Sequence, residues 1–357
     1  MHSKVKILIA ALLFLQVNCK KNSTIPRFTF QESMSAKPWE QFYDSMPRLR
    51  LLDKSHTYVI RVLRLTDPRL DDLSDQEYQQ LYSSIEKFVF KYLGFQIKMI
   101  EKGESNLLHF MRANSEFYNL PHYKNYISQH FIDLNDVTGR SRTKGAILEE
   151  LGYRGMKIIE TYIEDPAIRN KKDKDEISEY FLNRFNDKYN HITHIVCKDG
   201  SILGEGDYLL AQHYTYWTPL LIENKDYDFF LSNSILVGAD ELMPIYVINR
   251  GGITSAVTEN NLHNEMQGVI FQTLMPFISN DPFFREHRGE IPAEEKLNVI
   301  AMLVTHEFGH LLGRYREYYD LPDSPFNAPK DLRYYEWYKK IINNKTMPKN
   351  LEILDKY

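Results

Sequence analysis

The stretch from Pro292 to about Leu312 constrains this chain more than any other. Proline suits a first helical position, Glu294 and Glu295 fall in the first turn, and Leu297, Val299, Ile300, Leu303, Val304, Phe308, Leu311 and Leu312 place apolar side chains nearly all round the predicted helix. A helix with no polar face must be buried on most sides, so the remaining elements have to wrap it. Earlier in the chain, YVIRVLRL (58–65) is rich in β-branched and aromatic residues and reads as a strand closed by Asp67-Pro68. Ser74 and Glu77 then make a capping box, and Tyr78, Leu81, Tyr82, Ile85, Phe88, Val89 and Tyr92 recur at helical spacing until Gly94. FQIKMI (95–100) alternates apolar and polar as a second strand. A strand-helix-strand unit favours a parallel pair, which makes the fold class α/β (α+β), a mixed twisted sheet carrying a late buried helix.

From about 105 to 190 the pattern is helical, around 105–118, 144–164 and 174–189, and is expected as an insertion between strands. HITHIVC (191–197), DFFLSNSIL (228–236), MPIYVIN (243–249) and GVIFQTL (268–274) read as strands, with turn signals at Asp199-Gly200, Gly238 and Gly251-Gly252.

The N-terminus has its own pattern. Lys4 and Lys6 precede ILIAALLFLQV (7–17), too short to span a bilayer but suited to the core of an export signal. The run ends at Cys19, and the segment resembles a bacterial lipoprotein signal whose cysteine becomes the lipidated first residue. It departs from the usual box at Gln16 and Asn18, with Leu15 one place early. The expected organisation is a signal peptide at 1–18, a Pro-containing tether at 19–50, and one domain at 51–357. The expected location is the exported side of a bacterial cell envelope, with a lipid anchor on Cys19 as the membrane contact, or the secreted medium. A net charge of -4 without a basic stripe argues against nucleic acid as a partner. Cys19 and Cys197 are the only cysteines, which excludes a thiolate zinc cluster.

The buried helix carries HEFGH. His306 and His310, four apart, lie on one helix face a turn from each other, so both imidazoles can reach one metal ion, and Zn2+ suits that donor set. Glu307 is then the general base that takes a proton from a water whose acidity the metal has raised. Two histidines and a glutamate on a buried helix are costly unless they bind something. HEFGHLLG, with Gly313 three residues after His310, resembles the HExxHxxG motif of the metzincin zinc proteases. That resemblance implies a zincin-like domain, a protein or peptide substrate, a sharp turn at Gly313 and a third ligand three residues further on.

Arg316 stands at that third position, and an arginine offers no lone pair to a metal. The alternatives are Glu317, which needs the chain to turn at Gly313, and Asp320, which needs a slightly longer loop; Asp323 is a further option of that kind. Glu336 would serve if a later helix closed the site, as in the gluzincins. Metzincins also place a methionine turn beneath the metal, for which Met347 in KTMPKN and the turn-like DSPFN, with Phe326 at the methionine position, are candidates. Tyr315, Tyr318 and Tyr319 are placed to donate to an oxyanion. His191 and His194 are expected on opposite faces of a strand and are read as structural, and His213 and His263 have no recognisable partners. Three functions follow: a zinc metallopeptidase, a catalytically inactive protease-fold lipoprotein with a binding or structural role, or a zinc hydrolase of a non-peptide substrate that shares the same site.

Overall fold

The computed structural model describes residues 48–130, 137–154, 163, 165–237, 252–254, 261–315, 324–327, 329 and 332–344. The predicted unit forms as β1 (Thr57–Thr66), α1 (Asp75–Leu93) and β2 (Gln96–Asn106), with the strands parallel. The Ser74 hydroxyl accepts from the Glu77 N–H while the Glu77 carboxylate accepts from the Ser74 N–H, and Gly94 ends the helix at φ 75°. β2 outlasts its apolar alternation because its second half is held by charge: Arg64 on β1 pairs with Glu101 and Glu104 at 3.1 Å.

Beyond β2 the chain is largely helical up to Glu223. The longer helices among the described residues are α2 (Leu107–Ala113), α3 (Pro121–His130), α4 (Val137–Arg154), α5 (Lys174–Thr193) and α6 (Tyr214–Glu223), with short helical pieces at Ser115–Asn119, Pro166–Arg169 and Asp207–Ala211 between them. The insertion therefore extends past residue 190. HITHIVC is not the expected strand. Ile177, Phe181, Phe185, Tyr189 and Ile192 keep the 3–4 spacing of α5, so the helix continues to Thr193 and His194 caps it; only Val196 makes an isolated bridge, to Ile202.

β3 (Phe229–Ser232) and β5 (Ile270–Thr273) extend the parallel sheet, and β4 (Gly252–Thr254) pairs antiparallel with β5. The order is β2-β1-β3-β5-β4, so four strands are parallel and the edge strand β4 runs against them. Gly252, expected in a turn, lies within β4. The segment 243–249 is outside the described residues.

Both sheet faces are buried, which explains why the central strands read as continuous apolar runs. Tyr58, Ile60, Val62, Phe229, Leu231 and Ile270 belong to one core, with α1 and the late helix. Leu63, Leu65, Phe230 and Phe271 point to the other, against Met111 of α2 and Trp217 and Leu221 of α6. These two sets alternate along β1, whose pairing with β2 shifts register between Val62 and Leu63.

After α7 (Pro282–Arg288), residues 292–295 form a turn in which the Lys296 N–H donates to the Pro292 carbonyl, and α8 runs over Lys296–Gly313. Its start is four residues later than the proline suggested. Lys296 pairs with Glu77 at 3.0 Å, fixing the start of α8 beside the start of α1. α9 (Tyr334–Asn343) crosses α8 and bonds its start through the Tyr338 hydroxyl, which donates to Glu295 at 3.0 Å.

Candidate metal centre

Every residue of α8 from Val299 to Gly313 is buried. His306, Glu307 and His310 are 3%, 6% and 9% exposed, so the three polar side chains of HEFGH sit inside the fold at the end of an otherwise apolar helix.

Two backbone carbonyls orient the histidines. His306 Nδ1 lies 2.8 Å from the Pro325 oxygen, and His310 Nδ1 lies 2.5 Å from the Tyr315 oxygen. A carbonyl can only accept, so each Nδ1 carries its proton, and in the neutral ring the lone pair is on Nε2. The two Nε2 atoms face each other at 3.2 Å. Two lone pairs at that distance repel unless a cation or a proton lies between them.

Zinc fits this donor pair. Two imidazole nitrogens at about 2.0–2.1 Å from a tetrahedral ion stand roughly 3.3 Å apart, close to the observed separation. Nδ1–H donation to a carbonyl is also the usual way a protein fixes the tautomer of a histidine ligand.

The turn that brings Tyr315 to His310 differs from the one the motif implied. Gly313 is the last helical residue, and the left-handed position is Arg314, at φ 56°. Gly313 matters for its missing side chain: a Cβ there would lie 2.6 Å from Cδ2 of the Tyr315 ring and closer still to Cε2. That ring packs edge-on against Phe326, with centroids 4.7 Å apart. Arg314 is buried, and its guanidinium donates to the Met266 carbonyl at 2.9 Å and to Gln267 Oε1 at 3.2 Å. Gln267 is itself left-handed, at φ 58°, and also accepts from the Arg50 N–H. The end of the predicted tether thus already touches the loop that holds the end of α8.

The Ser324–Asn327 turn, part of DSPFN, lies against the histidines through the Pro325 carbonyl. Phe326 is 2% exposed, and a Cβ on Gly309 would rest 3.5 Å from its ring. The Trp337 Nε1–H donates to the Asn327 carbonyl at 2.8 Å, and its ring stands edge-on to His306 with centroids 6.4 Å apart.

Among the candidate third ligands, Glu336 is exposed on α9 and pairs with Arg333 at 3.8 Å. Among the described residues no set of three His, Cys, Asp or Glu side chains converges on a metal position. Glu317, Asp320 and Asp323, with Arg316, Tyr318, Tyr319, Met347 and Cys19, lie outside the described residues. His191 and His194 both lie at the end of α5; His191 bonds Asp281 and stacks on Phe283, while His194 Nδ1 donates to the Asn190 carbonyl. His213 is fully enclosed beside the Tyr189 hydroxyl, and burial pushes its pKa down to about 3.

Sequence reasoning missed Pro325, Arg314 and Trp337. The first acts through its backbone oxygen, which no side-chain pattern reveals, and the other two are ordinary in composition and become informative only through packing.

No family model matches the chain, and no similar protein was found among curated proteins or solved structures.

Proposed function

We propose that the chain is a zinc-dependent metallopeptidase in which His306 and His310 bind the metal and Glu307 handles the proton. The observation that carries this reading is the convergence of two Nε2 atoms at 3.2 Å, each freed for ligation by an Nδ1–H bond to a backbone carbonyl. Zinc, when bound, supplies Lewis acidity to a carbonyl and to water. Glu307 takes the proton of the attacking water and passes it to the departing amide nitrogen. The buried walls of α8 keep bulk water from the two imidazoles, and Pro325 and Tyr315 hold the rings in the ligating tautomer. The third protein ligand is Glu317 or Asp320, both in the segment that follows Tyr315.

Two further features favour the same reading. A buried glutamate on an apolar helix is expensive unless it has work with a charge beside it. The chain also turns back immediately after α8, at Arg314, as a ligand delivered from the following loop requires. The proposed setting is the exported side of a bacterial envelope with Cys19 acylated, supported by the apolar run 7–17; no helix among the described residues is long and apolar enough to cross a membrane.

One observation favours a second reading: Arg316 occupies the position where the resembling motif would put its third ligand. A catalytically inactive protease-fold protein with a binding role would keep the helix and lose the metal. Hydrolysis of a denatured protein by the purified chain, lost with a chelator, restored by zinc and absent in Glu307→Ala, supports the peptidase. A folded chain that cleaves nothing under those conditions supports the inactive reading.

A further inference from the structure

α9 follows the metal centre in sequence and carries none of its donors, yet it is fastened to the site at one point. Tyr334, Trp337, Tyr338 and Ile341 form its buried face. Of these, Trp337 is the one whose ring stands against His306 and whose N–H bonds the turn that holds His306.

Besides the packing of Phe326 against Gly309 and Tyr315, the turn has few hydrogen bonds among the described residues. Within Ser324–Asn327 the Phe326 N–H donates to the Ser324 hydroxyl at 3.1 Å, and the Asn327 N–H donates to the Ser324 carbonyl at a long 3.3 Å. The side-chain oxygen of Asn327 is buried without a hydrogen-bond partner. The Trp337 bond, at 2.8 Å and buried, ties this four-residue turn to a helix ten residues further on. Pro325, two residues before the carbonyl that Trp337 grips, supplies the oxygen that accepts from His306 Nδ1.

We infer that Trp337 is a positioning residue for His306: its indole N–H anchors the Ser324–Asn327 turn so that the Pro325 carbonyl holds His306 with Nε2 directed toward His310. His310 is held separately, by Tyr315 at the end of its own helix. The two ligands are held by different carbonyls, and the Tyr315 ring touches the turn only through Phe326, so loosening the turn acts on His306 first and reaches His310 more weakly. The inference rests on the proposed metal site for its consequence, but the effect on the His306 tautomer exists in the zinc-free protein.

The test compares the full chain with Trp337→Phe and with Tyr338→Phe, which breaks the bond to Glu295 on the same helix, away from the turn. Imidazole nitrogen NMR of the zinc-free proteins reads each tautomer, and competition with a chelator reads zinc affinity. In Trp337→Phe the His306 signals shift toward a mixture of tautomers, those of His310 shift less, and zinc affinity falls about tenfold, the low end of what outer-shell partners of metal ligands contribute. Tyr338→Phe leaves both readouts as in the parent chain. Unchanged His306 signals in Trp337→Phe overturn the inference, as does an equal effect in Tyr338→Phe, which would mark general loosening. If Trp337→Phe does not fold, benzothienylalanine at 337 keeps the ring shape and removes only the N–H, with the same expectations. A parent chain that binds no zinc defeats the metallopeptidase reading, while the tautomer comparison still decides the role of Trp337.

Discussion

Replacing Gly313 with alanine sets two physical effects of opposite sign against each other. Gly313 is the last residue of α8 and has no left-handed backbone angle, so helix propensity alone predicts that alanine stabilises the chain by about 1 kcal/mol. The packing predicts the reverse. The new methyl would sit 2.6 Å from Tyr315 Cδ2 and 2.9 Å from Cζ, whereas carbon atoms in contact prefer about 3.5–4.0 Å, so the ring must retreat by roughly 1 Å. It cannot retreat freely, because Phe326 packs edge-on against it and is itself buried. Overpacking of a filled site costs about 1–3 kcal/mol, which outweighs the propensity gain in most of that range and leaves a net loss of about 1 kcal/mol. The site feels it as well, since a displaced Tyr315 draws its carbonyl away from His310 Nδ1, and zinc affinity drops about tenfold. Urea unfolding monitored by circular dichroism gives the first quantity and chelator competition the second. An alanine variant that is more stable than the parent and binds zinc as tightly would refute the account of how Gly313, Tyr315 and His310 are coupled.

Further outcomes follow from other residues. His213 is held neutral in the folded state, with a pKa near 3, while the unfolded chain takes up its proton at about 6.5. Its contribution to stability is present above pH 6.5 and is lost as the pH falls toward 3, at up to about 1.4 kcal/mol per pH unit; His213→Gln should flatten urea midpoints measured between pH 7 and 5, and an unchanged slope would contradict this. Glu77 is held near a pKa of 2 by the Ser74 N–H and Lys296, so its part of the stability is present above the ordinary glutamate range and disappears toward pH 2. Ser74→Ala, which removes the cap acceptor, should cost about 1 kcal/mol in urea unfolding, and a loss below the error of the titration would remove the capping box from the account. Of Glu317→Ala and Asp320→Ala, one should lower zinc affinity sharply while the other leaves it intact; no effect in either would eliminate both as the third ligand.

The parts of the fold legible in the sequence are those where one local signal acted alone. The α1 boundaries follow from the Ser74–Glu77 box and Gly94, and β1 and β2 from short β-rich runs. HITHIVC misled because it is a short run rich in β-branched residues before the Asp199-Gly200 turn, while Ile192 also completes the 3–4 spacing that begins at Ile177. The longer register won, and the helix ran on. Pro292 suggested a helix start that the chain uses as a turn before Lys296. At the site, the placement of His306, Glu307 and His310 together on one buried helix follows from their spacing alone. Their supports were not, since Pro325 and Tyr315 act through carbonyl oxygens. The turn expected at Gly313 falls on Arg314, whose guanidinium fastens it to Met266 and Gln267, a long-range contact that local composition does not encode.

Whether His306 and His310 hold zinc is read by elemental analysis of the purified chain beside His306→Ala. The expected result is one zinc per parent chain, retained in Glu307→Ala and absent in a folded His306→Ala. A correctly folded parent chain that takes up no zinc when the metal is supplied would contradict it.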